Sequence, residues 1–110
     1  MSFALTERQL MDGTKSVTRR LGWAWLKPGD ELLAVRKCMG LKKGEKQHVL
    51  CKIRVKSARV EPLAYAGIRG ESAKEGFPEL DGPAFIAMFC RHMRCDPIVE
   101  VTRIEFEVVR

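Results

Sequence analysis

Between His48 and Arg59 the chain reads HVLCKIRVKSAR, and its side chains alternate in character with a period of two. Val49, Cys51, Ile53 and Val55 fall on one side of an extended backbone, and Lys52, Arg54 and Lys56 on the other. An apolar helix stripe needs spacings of three and four, so this run predicts a half-buried strand in a sheet with one apolar face. The basic side of that strand is either a surface for a polyanion or a plain solvated face.

The remaining segments are shorter. FAL opens the chain as a brief strand, and TERQLMDG follows as a helix of barely two turns. Thr6 is its expected N-cap, Gln9 the capping partner, and Gly13 the stop, taking a left-handed backbone that only glycine adopts cheaply. LKPGDELLAVRK reads as a Pro-Gly turn feeding a strand, with Leu33 and Val35 on one face and Ala34 and Arg36 on the other. CMGLKKGEKQ is a basic loop, and GESAKEGFPEL a loop or single helical turn. PAFIAMFCRHM predicts a helix from Pro83 with Phe85, Ile86, Phe89 and Met93 on its buried side. In the last strand, IVEVTRIEFEVV, the apolar residues change phase between Val101 and Ile104, which predicts a bulge near Thr102 and Arg103. The order of elements favours one α+β domain spanning 1–110, a small β-barrel with helices packed outside.

Composition narrows the function. The 110 residues include 20 Lys and Arg against 14 Asp and Glu, a net charge of +6, which favours a polyanionic partner such as RNA. No apolar run is long enough for a membrane span, and MSFALTERQL lacks the basic start of a signal peptide, so a cytoplasmic protein is expected; its oligomeric state is left open, with a monomer favoured. The cysteines Cys38, Cys51, Cys90 and Cys95 form no CxxC pair and are expected as free thiols. CRHMRC brings Cys90, His92 and Cys95 together, with Cys38 a conceivable fourth ligand, but the irregular spacing argues against zinc. Neither a metal nor a cofactor is expected, and His48 and His92 receive no role.

The chemistry concentrates in GTKSVTRR, residues 13–20. In an extended segment Lys15, Val17 and Arg19 share one face, and Ser16, Thr18 and Arg20 the other. Grouped cations of this kind bind an anion such as phosphate, lower the proton affinity of a lysine until it serves as a base, or simply form a solvated strand. Gly13 is expected to present Lys15 on a loop outside the core, where its substitution would cost little stability. Trp23 and Trp25 alternate, and one of them can stack on a base while the other packs inward.

The spacing of Gly13, Lys15 and Arg20 resembles the Gly-x-Lys-x-x-x-x-Arg pattern of ASCH domains, small PUA-like β-barrels of phage and bacteria among others. KPGDELLAV, AKEGF and VTRIEFEVV resemble later segments of the same family in the same order. The resemblance implies RNA binding or RNA metabolism in a cleft beside the barrel. One branch hydrolyses N4-acetylcytidine, and its catalytic positions correspond to Lys15, Thr18 and Glu75; another member is a ribonuclease. The RRLGWAW continuation and the CMGLKKGEKQ loop depart from the amidohydrolase branch. On that resemblance Lys15 deprotonates Thr18 or a water, Glu75 carries the proton and Arg20 steadies an oxyanion or phosphate. Gly13, Arg19, Arg20, Trp23, Lys52, Arg54 and Lys56 are the expected ligand-binding residues. Two other functions fit the same residues: an RNA-binding module without catalysis, relying on Lys52, Arg54, Lys56 and the Lys42, Lys43, Lys46 loop, or a protein-binding factor using exposed tryptophans.

Overall fold

The computed structural model describes residues 1–36, 43–44 and 46–110. Cys38, Lys42 and most of the basic loop around them lie outside the described residues. The elements in chain order are α1 (Glu7–Met11), β1 (Val17–Arg20), β2 (Glu31–Val35), β3 (Val49–Pro62), a 3-10 turn (Leu63–Gly67), α2 (Glu71–Lys74), α3 (Gly82–Met93) and β4 (Glu100–Val109). Among the described residues no helix is long and apolar enough to cross a membrane.

The four strands form one antiparallel sheet in the order β1-β4-β3-β2. β1 and β2 are its two edges and do not pair, so the sheet stays open where a closed barrel was expected. Other segments occupy those edges. Phe3 N donates to Val35 O at 2.8 Å and Val35 N to Met1 O at 2.9 Å, which binds the N-terminus along β2. On the β1 side Ser16 N donates to Lys74 O at 2.9 Å. The opening strand expected at FAL is thereby reduced to a single parallel bridge between Ser2 and Val35.

β3 carries the alternation that its sequence announced, with Ile53 and Val55 buried and Lys52, Arg54 and Lys56 exposed. Val49, at the start, is exposed instead. A bulge does interrupt the β3–β4 ladder, but in β3: Val55 faces Phe106 and Ser57 faces Glu105, leaving Lys56 as the extra residue. β4 pairs without interruption at Thr102 and Arg103, correcting the expected bulge there. Its change of apolar phase has another cause. Ile104 and Phe106 pack on one side of the sheet, with Leu26 and Val55 and with Phe3 and Ile53 respectively. Val101 packs on the other side against Leu63, Ala66, Phe85 and Phe89. β4 is a central strand with apolar partners on both faces, so period-two patterning fails without any break in the backbone.

The bulge reverses side-chain parity along β3. Before it, odd-numbered residues face Phe106; after it, Ala58 pairs with Ile104 on that face while Arg59 and Glu61 pair with Arg103 and Val101 on the other. β1 continues the row, because Arg19 pairs with Arg103. Arg19, Arg103 and Arg59 thus stand side by side across three strands, on the face covered by α2 and α3.

α3 begins as expected around Pro83, with the Asp81 side chain accepting from Ala84 N at 2.8 Å. Phe85 and Phe89 are buried, and Ile86 and Met93 pack against them. α1 is not capped by the Thr6 side chain. Gln9 does not close a capping box either; its Nε2 donates to Gly76 O at 3.2 Å and ties α1 to the segment after α2. In β2, Leu33 is exposed while Leu32 and Ala34 join the apolar clusters, and Val35 is covered by the N-terminal residues.

Candidate functional site

Arg19 enters the interior because it pairs with Arg103 on the sheet face that α2 covers. Three carboxylates meet it. Nη1 donates to Glu75 Oε2 at 2.9 Å, Nη2 to Glu61 Oε2 at 3.2 Å, and Nη2 also to Glu71 Oε1. Arg103 Nε donates to Glu71 Oε1 at 2.8 Å, and Arg59 Nε to Glu61 Oε1 at 2.8 Å. Lys15 completes the network through Glu75, donating from Nζ to Oε1 at 3.1 Å and to the backbone carbonyl at 2.8 Å. Lys15, Arg19, Glu61, Glu75 and Arg103 are each no more than 5% exposed. Charges this deeply buried are tolerable only when paired, and here every buried side-chain polar atom among the described residues has a partner.

The loop from α2 toward α3 brings Glu75 to Lys15 across 60 residues of sequence. Gly76 makes that approach possible. Its φ is +97°, and a Cβ there would stand 3.0 Å from Gln9 Cβ and 3.5 Å from Lys15 Cβ, so a larger residue would push the segment away from β1. Gly13, with φ +83°, ends the α1 segment in the left-handed conformation expected of it. The consequence for Lys15 is the reverse of the one expected. The chain turns inward after Gly13, and Lys15 is a buried, ion-paired residue rather than an exposed loop cation.

Burial pushes the Lys15 ammonium toward deprotonation; Glu75 opposes that, and Arg20 and Arg19 add smaller pushes in the same direction as burial. The adjacent arginines, to which the sequence attributes the effect, are therefore its lesser cause. Glu71 behaves differently. Burial alone would raise its pKa, but hydrogen bonds from Arg103 and Arg19 outweigh that and hold it at about 2.

Beside this network lies a cleft of about 520 Å³, walled by residues 1–6, β1 and α3. Lys15, Thr18 and Glu75 all line it, with Arg19, Arg20 and Trp23. Phe3, Phe77, Phe85, Met88 and Phe89 supply an apolar wall of the kind that accepts a planar ring. Thr18 Oγ1 accepts from Arg20 Nε at 3.0 Å, and the Arg20 guanidinium lies 4.8 Å from the Phe3 ring centre. No hydrogen bond joins Lys15 to Thr18 among the described residues. Trp23 adopts a left-handed backbone (φ 63°), rare for a bulky side chain, which sets its ring in the cleft wall and 5.5 Å from that of Trp25. Trp25 is 65% exposed and stands outside the wall.

Gly13, Lys52, Arg54 and Lys56 do not line the cleft. The basic stripe is interleaved with acids: Arg54 pairs with Glu31 at 2.8 Å and Glu107 at 3.2 Å, Lys52 with Glu31 at 3.7 Å, and Lys56 with Glu105 at 3.9 Å. Cys51, Cys90 and Cys95 are free thiols, the last two packed against the cluster of Leu63, Ala66, Phe85, Phe89 and Val101; Cys38 lies outside the described residues. Among the described residues no group of His, Cys, Asp and Glu is arranged to hold a metal ion. Sequence reading overlooked Glu61, Glu71 and Arg103. Arg103 left a trace as the charge that interrupts an apolar strand, whereas Glu61 and Glu71 look like ordinary surface acids in sequence.

No family model and no curated protein matches this sequence. Solved structures do share its fold. Protein EF3133 from Enterococcus faecalis V583, which carries the family model DUF984, superposes with a TM-score of 0.57 at 15% identity, over 94% of this chain and 69% of its own. An ASCH domain from Lactobacillus crispatus JV V101 gives a TM-score of 0.48 at 17% identity, over 94% of this chain and 70% of its own. At such identities the likeness to the Enterococcus protein is one of fold alone, and the chain has the α+β arrangement of an antiparallel sheet with flanking helices that its sequence led one to expect.

Proposed function

We propose that the cleft binds a nucleoside or an RNA base and hydrolyses an amide on it, with N4-acylated cytidine as the substrate class. The observation that carries this reading is the meeting of Lys15, Thr18 and Glu75 on one cavity with an aromatic wall. The motif resemblance assigns those three residues to the same chemistry. Hydrolysis of an exocyclic amide needs a base for water, a place for the oxyanion and a proton for the departing amine. In its neutral form, which burial favours, Lys15 Nζ takes the proton from the attacking water as the new carbon–oxygen bond forms. Thr18 and Arg20 stand beside the developing oxyanion, already joined by a hydrogen bond of 3.0 Å. Collapse of the tetrahedral intermediate breaks the carbon–nitrogen bond, and Lys15 returns the proton to the ring amine. Glu75 holds Lys15 through two hydrogen bonds, with Arg19 gripping its other oxygen. This makes Glu75 a positioning residue rather than the proton carrier first expected. With no hydrogen bond between Lys15 and Thr18, water is a better nucleophile here than the Thr18 hydroxyl.

The test is incubation with N4-acetylcytidine and with short RNAs, followed by mass spectrometry. Conversion of the acylated nucleoside is expected for the native protein and not for Lys15→Arg, because arginine keeps the charge but gives up no proton. Turnover persisting in Lys15→Arg refutes the mechanism. One observation favours a second reading: the ion network accounts for the burial of Lys15 and Glu75 without any chemistry. Tight RNA binding with no product from either substrate would establish that binding-module function instead.

A further inference from the structure

Next to the cleft lies a second cavity of about 460 Å³ lined by Leu5, Phe77, Met88, Arg91, His92 and Arg94. Four of those residues, Leu5, Phe77, Met88 and His92, also line the cleft, so the two spaces adjoin across a shared wall. The Lys15 end holds cations already matched by carboxylates. The α3 end is different: among the described residues, no salt bridge or hydrogen bond engages the side chain of Arg91 or Arg94. The nearest acid in sequence, Asp96, accepts from Ile98 N at 3.0 Å and does not line the cavity.

Cations at the C-terminal end of a helix are favoured by its dipole, and Arg91 and His92 lie in the last turn of α3. That effect explains a cation, not its place on the rim of an apolar cavity. Arg94 adds a second feature. As the C-cap it sits in the left-handed region at φ 53°, where glycine or asparagine would be easier, and this backbone turns its side chain out of the helical progression. Apolar floor, three nitrogen-bearing side chains on the rim and no competing carboxylate together describe a receptor for an anion attached to something apolar or aromatic.

We propose that Arg91, His92 and Arg94 form a phosphate subsite, so that the ligand of the cleft is a nucleotide or a nucleotide within RNA rather than a free nucleoside. This rests on the nucleoside reading of the cleft, since that reading puts a base at the Lys15 end. The sugar then crosses the shared Leu5, Phe77 and Met88 wall, and a phosphate oxygen meets the guanidinium groups. Arginine suits this better than lysine, because its planar fork makes two parallel bonds to phosphate.

The experiment compares cytidine, the product nucleoside that is not turned over, with its 5′- and 3′-monophosphates by calorimetry, on the native protein and on the double variant Arg91→Gln, Arg94→Asn. Asparagine is chosen because it tolerates the left-handed conformation. One monophosphate is expected to bind about tenfold more tightly than the nucleoside, a gain typical of hydrogen bonds to a charged group. The double variant is expected to lose that gain and keep its nucleoside affinity. Preference for the 5′- over the 3′-monophosphate, or the reverse, tells which flanking phosphate of RNA occupies the subsite. A nucleoside that binds with no gain from either phosphate overturns the proposal, as does a gain that survives in the double variant. Titration with inorganic phosphate separates this from failure of the nucleoside reading. Saturable shifts of the amide resonances of residues 91–94, absent in the double variant, uphold the subsite even if no cytidine binds. Their absence from the native protein refutes it.

Discussion

Replacing Lys15 by methionine keeps the length and apolar stem of the side chain and removes its charge. Lys15 Nζ makes two buried hydrogen bonds, 3.1 Å to Glu75 Oε1 and 2.8 Å to the Glu75 carbonyl. Both acceptors would lose their donor in the interior, while Arg19 would still hold Glu75 Oε2 at 2.9 Å. Breaking a buried ion pair costs about 3–5 kcal/mol, and the surviving Arg19 contact places this case at the low end, about 3 kcal/mol. For a domain of this size each kcal/mol moves the midpoint of thermal unfolding by about 4 °C, so a fall of about 12 °C is expected. Circular dichroism at pH 7 measures it. A double-mutant cycle with Glu75→Gln isolates the pair: the double variant should recover part of the loss, because no buried carboxylate is left unmatched. If Lys15→Met melts within about 3 °C of the native protein, the pair is solvated and the burial argument fails. The pH dependence supplies an independent sign. The folded-state pKa of Lys15 lies below its ordinary 10.5, so as pH rises toward that value the unfolded chain holds more protons than the folded one. Lys15 alone therefore makes stability rise with pH in that window, and Lys15→Met should remove that rise.

Three further outcomes are expected. The Glu71 pKa falls from 4.5 to about 2 on folding, so its stabilisation is complete above 4.5 and is lost as pH drops from 4.5 toward 2; Glu71→Gln should flatten urea-unfolding free energies across that interval, and an unchanged slope would disprove the pairing. The triple variant Lys52→Ser, Arg54→Ser, Lys56→Ser should leave nucleoside turnover unchanged and alter the salt slope of RNA binding by less than the roughly 2 units that three free cations would give; a full change of 2 would mean that the neighbouring glutamates do not neutralise the stripe. Lys56→Ala keeps the bulge and should lie within about 0.5 kcal/mol of the native protein by the same melting assay; a larger loss would mean that the Lys56 side chain, and not the backbone irregularity, is what the strand needs.

Local periodicity made part of this molecule legible. The β3 alternation and the α3 stripe each depend on residues a few positions apart, and both elements form where the patterns place them. The open sheet was not legible, because closure is decided by which segments reach the β1 and β2 edges. No pattern within FAL or AKEGF reveals that Met1 and Phe3 bind Val35, or that Lys74 receives Ser16. The GTKSVTRR segment showed its cluster of cations but not its depth. Gly13 announces a change of direction and nothing about whether the new direction is outward; that depends on Glu75, 60 residues away, and on Gly76 letting it close in.

The misplaced bulge shows how a fold-level decision builds the site. A change of apolar phase in β4 is satisfied either by a break in β4 or by a second apolar layer over its other face, and sequence alone does not separate the two. The second holds here, with Val101 under α3 and Ile104 under Leu26 and Val55. β4 must then run straight between two layers, and the irregularity appears in its longer neighbour, at Lys56. That single extra residue turns Arg59 and Glu61 to the side where Arg103 and Arg19 already stand. With Glu61 delivered, Arg19 meets three carboxylates, and its grip on Glu75 fixes the group that holds Lys15 at the cleft. A backbone irregularity on the strand opposite thus positions a lysine two strands away, through a chain of buried charges none of which is intelligible from its own sequence neighbours.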